Sequence, residues 1–288
     1  MIGEFFASAS LFVAGLLLFA AMVGARELGA FGHRVADRRH GSKSTTEGDA
    51  NVLLSVALGL LSLLIGFAFS LSLSRYDHRR ELVASEASAI ATAAQRFGLI
   101  DSPAHDVLMR QLHDYSAARA AAGLSVDDDE RRNLERKAEG LSVPLVKATV
   151  AAVLPLQGTS TGTFVLDGVD RAINLADQRR AAADAKLPNR VVEALAAYCV
   201  VVAGLFGYAL TSTASTNRVA TYLVFALFAF AIAIILDLDR PRGGAITIGQ
   251  EPMADVLQKL TKQIATASAN VVVQQSNPAR KGGLTGIQ

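Results

Sequence analysis

The chain has 288 residues, 51% of them apolar, and a mean hydropathy of +0.33, which is more apolar than a soluble domain requires. With 28 Lys+Arg against 26 Asp+Glu it offers no clustered basic face, so nucleic acid is not an expected partner. One cysteine, Cys199, excludes a disulfide framework within the chain, and the absence of Trp leaves any interfacial aromatic belt to Tyr.

Four apolar runs stand out, at 5–25, 51–73, 191–212 and 219–236. Each is long enough to cross a hydrocarbon core of about 30 Å at about 1.5 Å per residue. Three carry no charge, and the third has only Glu193, within a turn of its start. A buried helix of a soluble protein normally keeps a polar face, so these read as transmembrane spans. The first run begins with Glu4 and no Lys or Arg, which suits an uncleaved span better than a signal peptide.

Between spans two and three, residues 74–190 are Ala-rich and charged. Helices are expected over 74–98, 103–122, 127–154 and 162–186. The breaks are Gly98 with Asp101-Ser102-Pro103, Gly123 with Ser125 and the acidic run 127–130, the stretch 158–162, and Leu187-Pro188-Asn189. Pro144 and Pro155 should kink or shorten the third helix. Residues 51–98 contain no Pro, so span two should continue as one helix about 72 Å long. After span four come a turn at 241–244, a short extended piece at 245–249, a short helix over 252–265 and a loose end.

The fold class is therefore all-α, a polytopic membrane protein with four transmembrane helices and a helical insert between spans two and three. Its divisions are a first transmembrane hairpin (1–73), the insert (74–190), a second hairpin (191–236) and a C-terminal tail (237–288). Counting Lys and Arg near the span ends places the insert and both termini in the cytoplasm.

Span two carries a row of small residues, Ser55, Gly59, Ser62, Gly66 and Ser70, within about 80° of one another on a helix. Such a row either packs against another span of the same subunit or faces a pore or a second subunit. Ile65, Phe69 and Leu73 recur at i, i+4, i+8; they are lipid-facing or core side chains, or an apolar constriction if the span lines a pore. Where the span ends, Asp77 comes within reach of Arg80, while Arg75 and Arg79 suit a helix leaving the bilayer. Glu86 sits among Ala84, Ser85, Ala87, Ser88 and Ala89, where helices pack closely, and a buried carboxylate there needs a partner. Arg179 or Arg180 can supply it. After span four, Arg240 and Arg242 read as interface anchors with Asp237 and Asp239 as local partners, or as an anion-attracting vestibule.

No catalytic residue, metal site or cofactor is expected. The stretch GSKST at 41–45 lacks the order of a phosphate loop, and the five histidines form no metal-ligand spacing. Uncharged spans argue against an ion-coupled pump.

Three stretches carry a family likeness: RYDHRRELVASEASAIATA after span two, LPNRVVEAL leading into span three, and LDLDRPRGG after span four. Together with the layout they resemble the bestrophin-like domain family of bacterial membrane proteins, over nearly the whole chain. The resemblance implies kinship with bestrophins, which are pentameric anion channels with four spans per subunit, cytoplasmic termini and a cytoplasmic helical insert. It thus implies a homo-oligomer in a lipid bilayer and a small anion as the permeant species. Bestrophins bind calcium through a dense acidic cluster after the fourth span. Here only Asp237 and Asp239 stand there, beside Arg240 and Arg242, so calcium gating is not expected. The alternative is a membrane-anchored sensor or scaffold whose helical insert binds a partner.

Overall fold

The computed structural model describes residues 11–40, 45–101, 103–210, 218–240 and 244–276. Among them the helices are α1 (Leu11–His40), α2 (Thr45–Phe97), α3 (Ala104–Leu124), α4 (Asp128–Val153), α5 (Ser160–Asp184), α6 (Asn189–Leu210), α7 (Arg218–Asp239) and α8 (Glu251–Ser276). A 3-10 turn at Leu154–Leu156 continues α4. The described residues contain no strand, so the architecture is all-helical.

Helix α2 runs unbroken for 53 residues, as a stretch without Pro or an internal cap allows. Helix α4 begins where the Asp127 carboxylate accepts the backbone N–H groups of Asp129 and Glu130, at 2.7 and 3.1 Å. Those bonds, Glu130's first, hold the Asp127 carboxyl below its ordinary pKa. Pro144 lies inside α4 without ending it, and Pro155 sits in the 3-10 turn. The tail helix differs from expectation: α8 has 26 residues rather than a short stretch over 252–265.

Five helical stretches among the described residues are long and apolar enough to cross a membrane: Phe12–Val35, Gly48–Phe97, Asp128–Leu156, Ser160–Leu210 and Arg218–Asp239. Four of them overlap the apolar runs of the sequence, of which residues 5–10 and 211–212 lie outside the described residues. The fifth, Asp128–Leu156, is the least apolar, with a mean hydropathy of 1.4. Its Ala138, Leu145 and Thr149 are buried, and the first two join a core built by the helical insert.

The described residues fall into two compact units, the first within Met1–His78 and Asp184–Thr247, the second within Arg79–Ala183 and Ile248–Gln288. Helix α8 therefore groups with the insert instead of standing apart as a tail. The reason is its apolar face: Met253, Val256 and Leu260 are buried in the second unit's core with Ile90 and Phe97 of α2, Leu108 and Leu112 of α3, and Val165 and Val169 of α5.

The first unit's core gathers Leu18 and Met22 of α1, Leu54 and Leu61 of α2, Cys199 and Val202 of α6, and Phe225 and Ile232 of α7. Helices α1 and α6 touch backbone to backbone. A Cβ on Gly29 would overlap the Gly204 carbonyl oxygen, and one on Gly207 would overlap that of Arg26. Small residues allow this approach, which maximises dispersion contact where no hydrophobic effect drives helices together. Gly207→Val is accordingly expected to cost at least about 1–3 kcal/mol and to lower the melting temperature of the detergent-extracted protein. Gly32→Ala, with open space around its Cβ position, should leave it unchanged. Equal melting of both variants would refute the close contact.

Candidate functional site

Within the apolar part of α2, the buried positions are Leu54, Leu61, Ala68 and Ser72. Spacings of seven and four put them on one helix face. Ser55, Gly59, Ser62, Gly66 and Ser70 are all exposed, and their row is centred about 140° from the buried one. Among the described residues nothing lies within 4 Å of a Cβ built on Gly59 or Gly66, so no described span packs closely on these glycines. The close intrachain approach is made by Gly29 and Gly207 instead. Ser55 donates to the Asn51 carbonyl at 2.9 Å, a bond within the helix. Ile65 is half-buried, while Phe69 and Leu73 are 40% and 38% exposed. The face of span two turned away from its own subunit therefore carries hydroxyls, glycines and a short apolar row.

Past the apolar run, the charged block divides. Asp77 and Arg80 are both exposed and form no ion pair with each other. Arg79 is buried rather than snorkelling, and its Nε donates to the Ala182 carbonyl at 3.0 Å. Arg75 brings Nη1 to 3.8 Å from Asp239 Oδ1.

Glu86 is fully buried in the second unit. It is held from two helices. Arg119 of α3 donates from Nε to Oε1 at 2.6 Å and from Nη2 to Oε2 at 3.2 Å. Arg179 of α5 donates from Nη1 to Oε2 at 2.7 Å. The arginines are themselves anchored: Arg119 Nη2 reaches the Ala176 carbonyl at 3.3 Å, and Arg179 Nη2 donates to Gln250 Oε1 at 2.7 Å. Burial pushes the Glu86 carboxyl up, but the Arg119 and then the Arg179 guanidinium more than reverse this, so its pKa lies below the ordinary 4.5. Burial lowers that of Arg119 and the Glu86 charge raises it, with a net rise. Arg180 does not reach Glu86; it stands 3.8 Å from Glu135 and 3.6 Å from Glu139. Arg119 escaped the sequence reading, yet it carries the same signature as Glu86. It is one charge inside the small-residue run SAARAAAGL of α3.

The two aspartates after span four each accept backbone N–H groups. Both are buried. Asp237 accepts the backbone N–H groups of Ala245 and Ile246, each at 2.9 Å, and so ties down the chain beyond α7. Asp239 accepts the Leu187 N–H with both oxygens, at 3.0 and 2.9 Å. This fixes the entry to α6, where Pro188 forbids a continuing helix. The Arg240 N–H donates to the Asp237 carbonyl at 3.1 Å. Arg242 lies outside the described residues. Among those described, no three His, Cys, Asp or Glu side chains cluster as metal ligands.

An all-helical chain with several stretches of membrane-spanning length is a polytopic helical membrane protein. A family model for the bestrophin-like domain matches residues 18–253, and the chain belongs to that family. Among solved structures it is similar to a bacterial bestrophin homologue from Klebsiella pneumoniae carrying a point mutation. The identity is 13% and the TM-score 0.65, over 89% of this chain and 99% of that one. Two further crystal structures of a homologue from that organism give 13% and 14% identity and TM-scores of 0.63 and 0.62. They cover 89% and 88% of this chain and 99% and 97% of theirs. A search of the curated proteins finds no match. The three signature stretches supply the buried polar contacts above: Arg79 and Glu86 from the first, Leu187 from the second, Asp237 and Asp239 from the third.

Glu86→Gln leaves two buried guanidiniums without the carboxylate they share, a loss of about 3–5 kcal/mol. A thermal melt should fall well below the wild type, whereas Asp77→Asn should not move it. Because the folded pKa of Glu86 is depressed, its contribution is present above about pH 4.5 and is lost as pH falls through the lower folded value. The acid limb of the wild-type stability curve should therefore flatten in Glu86→Gln.

Proposed function

We propose that the chain forms a homo-oligomeric passive anion channel in an inner membrane, with the insert and both termini cytoplasmic, and that it is not an enzyme. Family kinship supports an anion channel in general. The observation that carries the reading is the orientation of span two, whose Ser55, Gly59, Ser62, Gly66 and Ser70 row faces away from its own subunit. Glycines there allow a second copy to approach, and serine hydroxyls meet a partly hydrated anion without binding it tightly. Ile65, Phe69 and Leu73 sit further round the same helix and form an apolar constriction that gates by dewetting. A span without a charged residue fits passive conduction, since coupled transport calls for ionisable groups at membrane depth.

Particle mass and liposome flux test this together. The purified protein should be an oligomer, and proteoliposomes holding it should release chloride down its gradient. Phe69→Ala should raise that flux severalfold. A monomer or dimer without flux would overturn the channel and favour a sensor or scaffold.

A further inference from the structure

Two faces of the second unit stay largely open among the described residues, apart from Arg180 of α5, which comes within 3.6 Å of Glu139 on the second face. One is a groove of about 510 Å³ between α2 and α5, lined by the small residues Ala84, Ser85, Ser88 and Thr92 of α2 and Gly168 of α5; its charged members are Glu81 at one end, Arg171 further along, and Arg96 at the other end, where Arg96 is paired with Asp167. The other is a stripe on α4. Arg136, Glu139, Val143 and Lys147 are all exposed and lie within about 40° of Val143 around the helix.

The charges on the two faces match in sign and spacing. Helices α2 and α5 run antiparallel, because Arg79 bonds the Ala182 carbonyl, Arg119 links Glu86 with the Ala176 carbonyl, and Gly168 lies against Ala93. Arg171 therefore stands level with Ile90, nine residues from Glu81, or about 13 Å along the groove. On α4, Glu139 and Lys147 are eight residues apart, about 12 Å. Read along α2 and along α4, the acid comes first and the base second on both faces, so the charges pair when the two helices run antiparallel.

We propose that α4 of a second copy of this chain docks in this groove, antiparallel to α2. Glu139 then meets Arg171, Lys147 meets Glu81, Arg136 comes level with Asp167, and Val143 sits over Ser85 and Ser88. The two faces are different surfaces, so the contact is head-to-tail and closes into a ring when the rotation permits. The inference rests on the homo-oligomer reading above and adds the place where the copies meet.

Disulfide trapping tests it on the full-length chain in membranes, in a Cys199→Ala background. Ser88→Cys combined with Val143→Cys should give a ladder of cross-linked species above the dimer under mild oxidation, and neither single variant should. Independently, Glu139→Arg with Lys147→Glu should raise the dissociation midpoint about tenfold, and adding Glu81→Lys with Arg171→Glu should restore it. The mass of the wild-type particle separates the two readings. A monomer refutes both the homo-oligomer and the docking. An oligomer that gives no ladder, or that is indifferent to the charge reversals, refutes the docking alone.

Discussion

A carboxylate with no exposure to water must either lose its charge or be surrounded by donors. Glu86 takes the second course, and the second unit is organised around it. Arg119 brings in α3 and Arg179 brings in α5. Gln250 couples Arg179 to the start of α8, where its own carbonyl accepts the N–H groups of Met253 and Ala254, both at 3.1 Å. Four helices thus answer to one side chain, which explains why the C-terminal helix belongs with the insert although α6 and α7 separate them in the chain. The two guanidiniums exceed the single carboxylate in charge. Glu135, buried on α4 and bonded by Arg131 at 2.8 Å, adds a second negative centre whose field reaches Arg119. Such a network is sensitive to any single deletion and specifies the register of its helices more sharply than apolar packing does.

The first unit uses acids in a different way. Asp237 and Asp239 accept backbone N–H groups in the connecting segments, just before α6 and after α7, which have no helical partner. Their position after span four first suggests a lipid or ion surface, but their contacts are those of staples that hold two chain crossings. The apolar helices meanwhile pack through glycine contacts between α1 and α6, and one face of span two stays exposed among the described residues. A long helix that is held tightly on one side and left bare of packing on the other suits a chain that completes its surface with further copies of itself.

Much of this was legible in the sequence. The apolar runs, the proline-free stretch through 51–98 and the acidic run 127–130 that opens α4 follow from local rules that depend on few distant residues. The need of Glu86 for a partner was equally readable, because small neighbours on every side forecast burial. The identity of its partners was less so. Arg179 was an expected candidate and Arg180 an equal one; their adjacent positions lie 100° apart on α5, and only the docking of α3 and α4 decides which points inward. Arg119 required knowing that α3 packs against α2. The roles of Asp237 and Asp239 were hidden for a related reason, since their partners are backbone groups that no residue type announces. The length of α8 was missed because its apolar residues are spaced for a core that the sequence of the tail does not reveal.

The central functional claim is that the outward face of span two lines water. Accessibility to a charged, water-soluble thiol reagent tests it directly, using single cysteines placed along α2 of the oligomer in native membranes, with Cys199 replaced. Positions 55, 59, 62, 66 and 70 should be modified, at rates that fall across Phe69, while positions 54, 61 and 68 stay protected. Modification of neither row, as for a helix facing lipid on that side, would contradict the account.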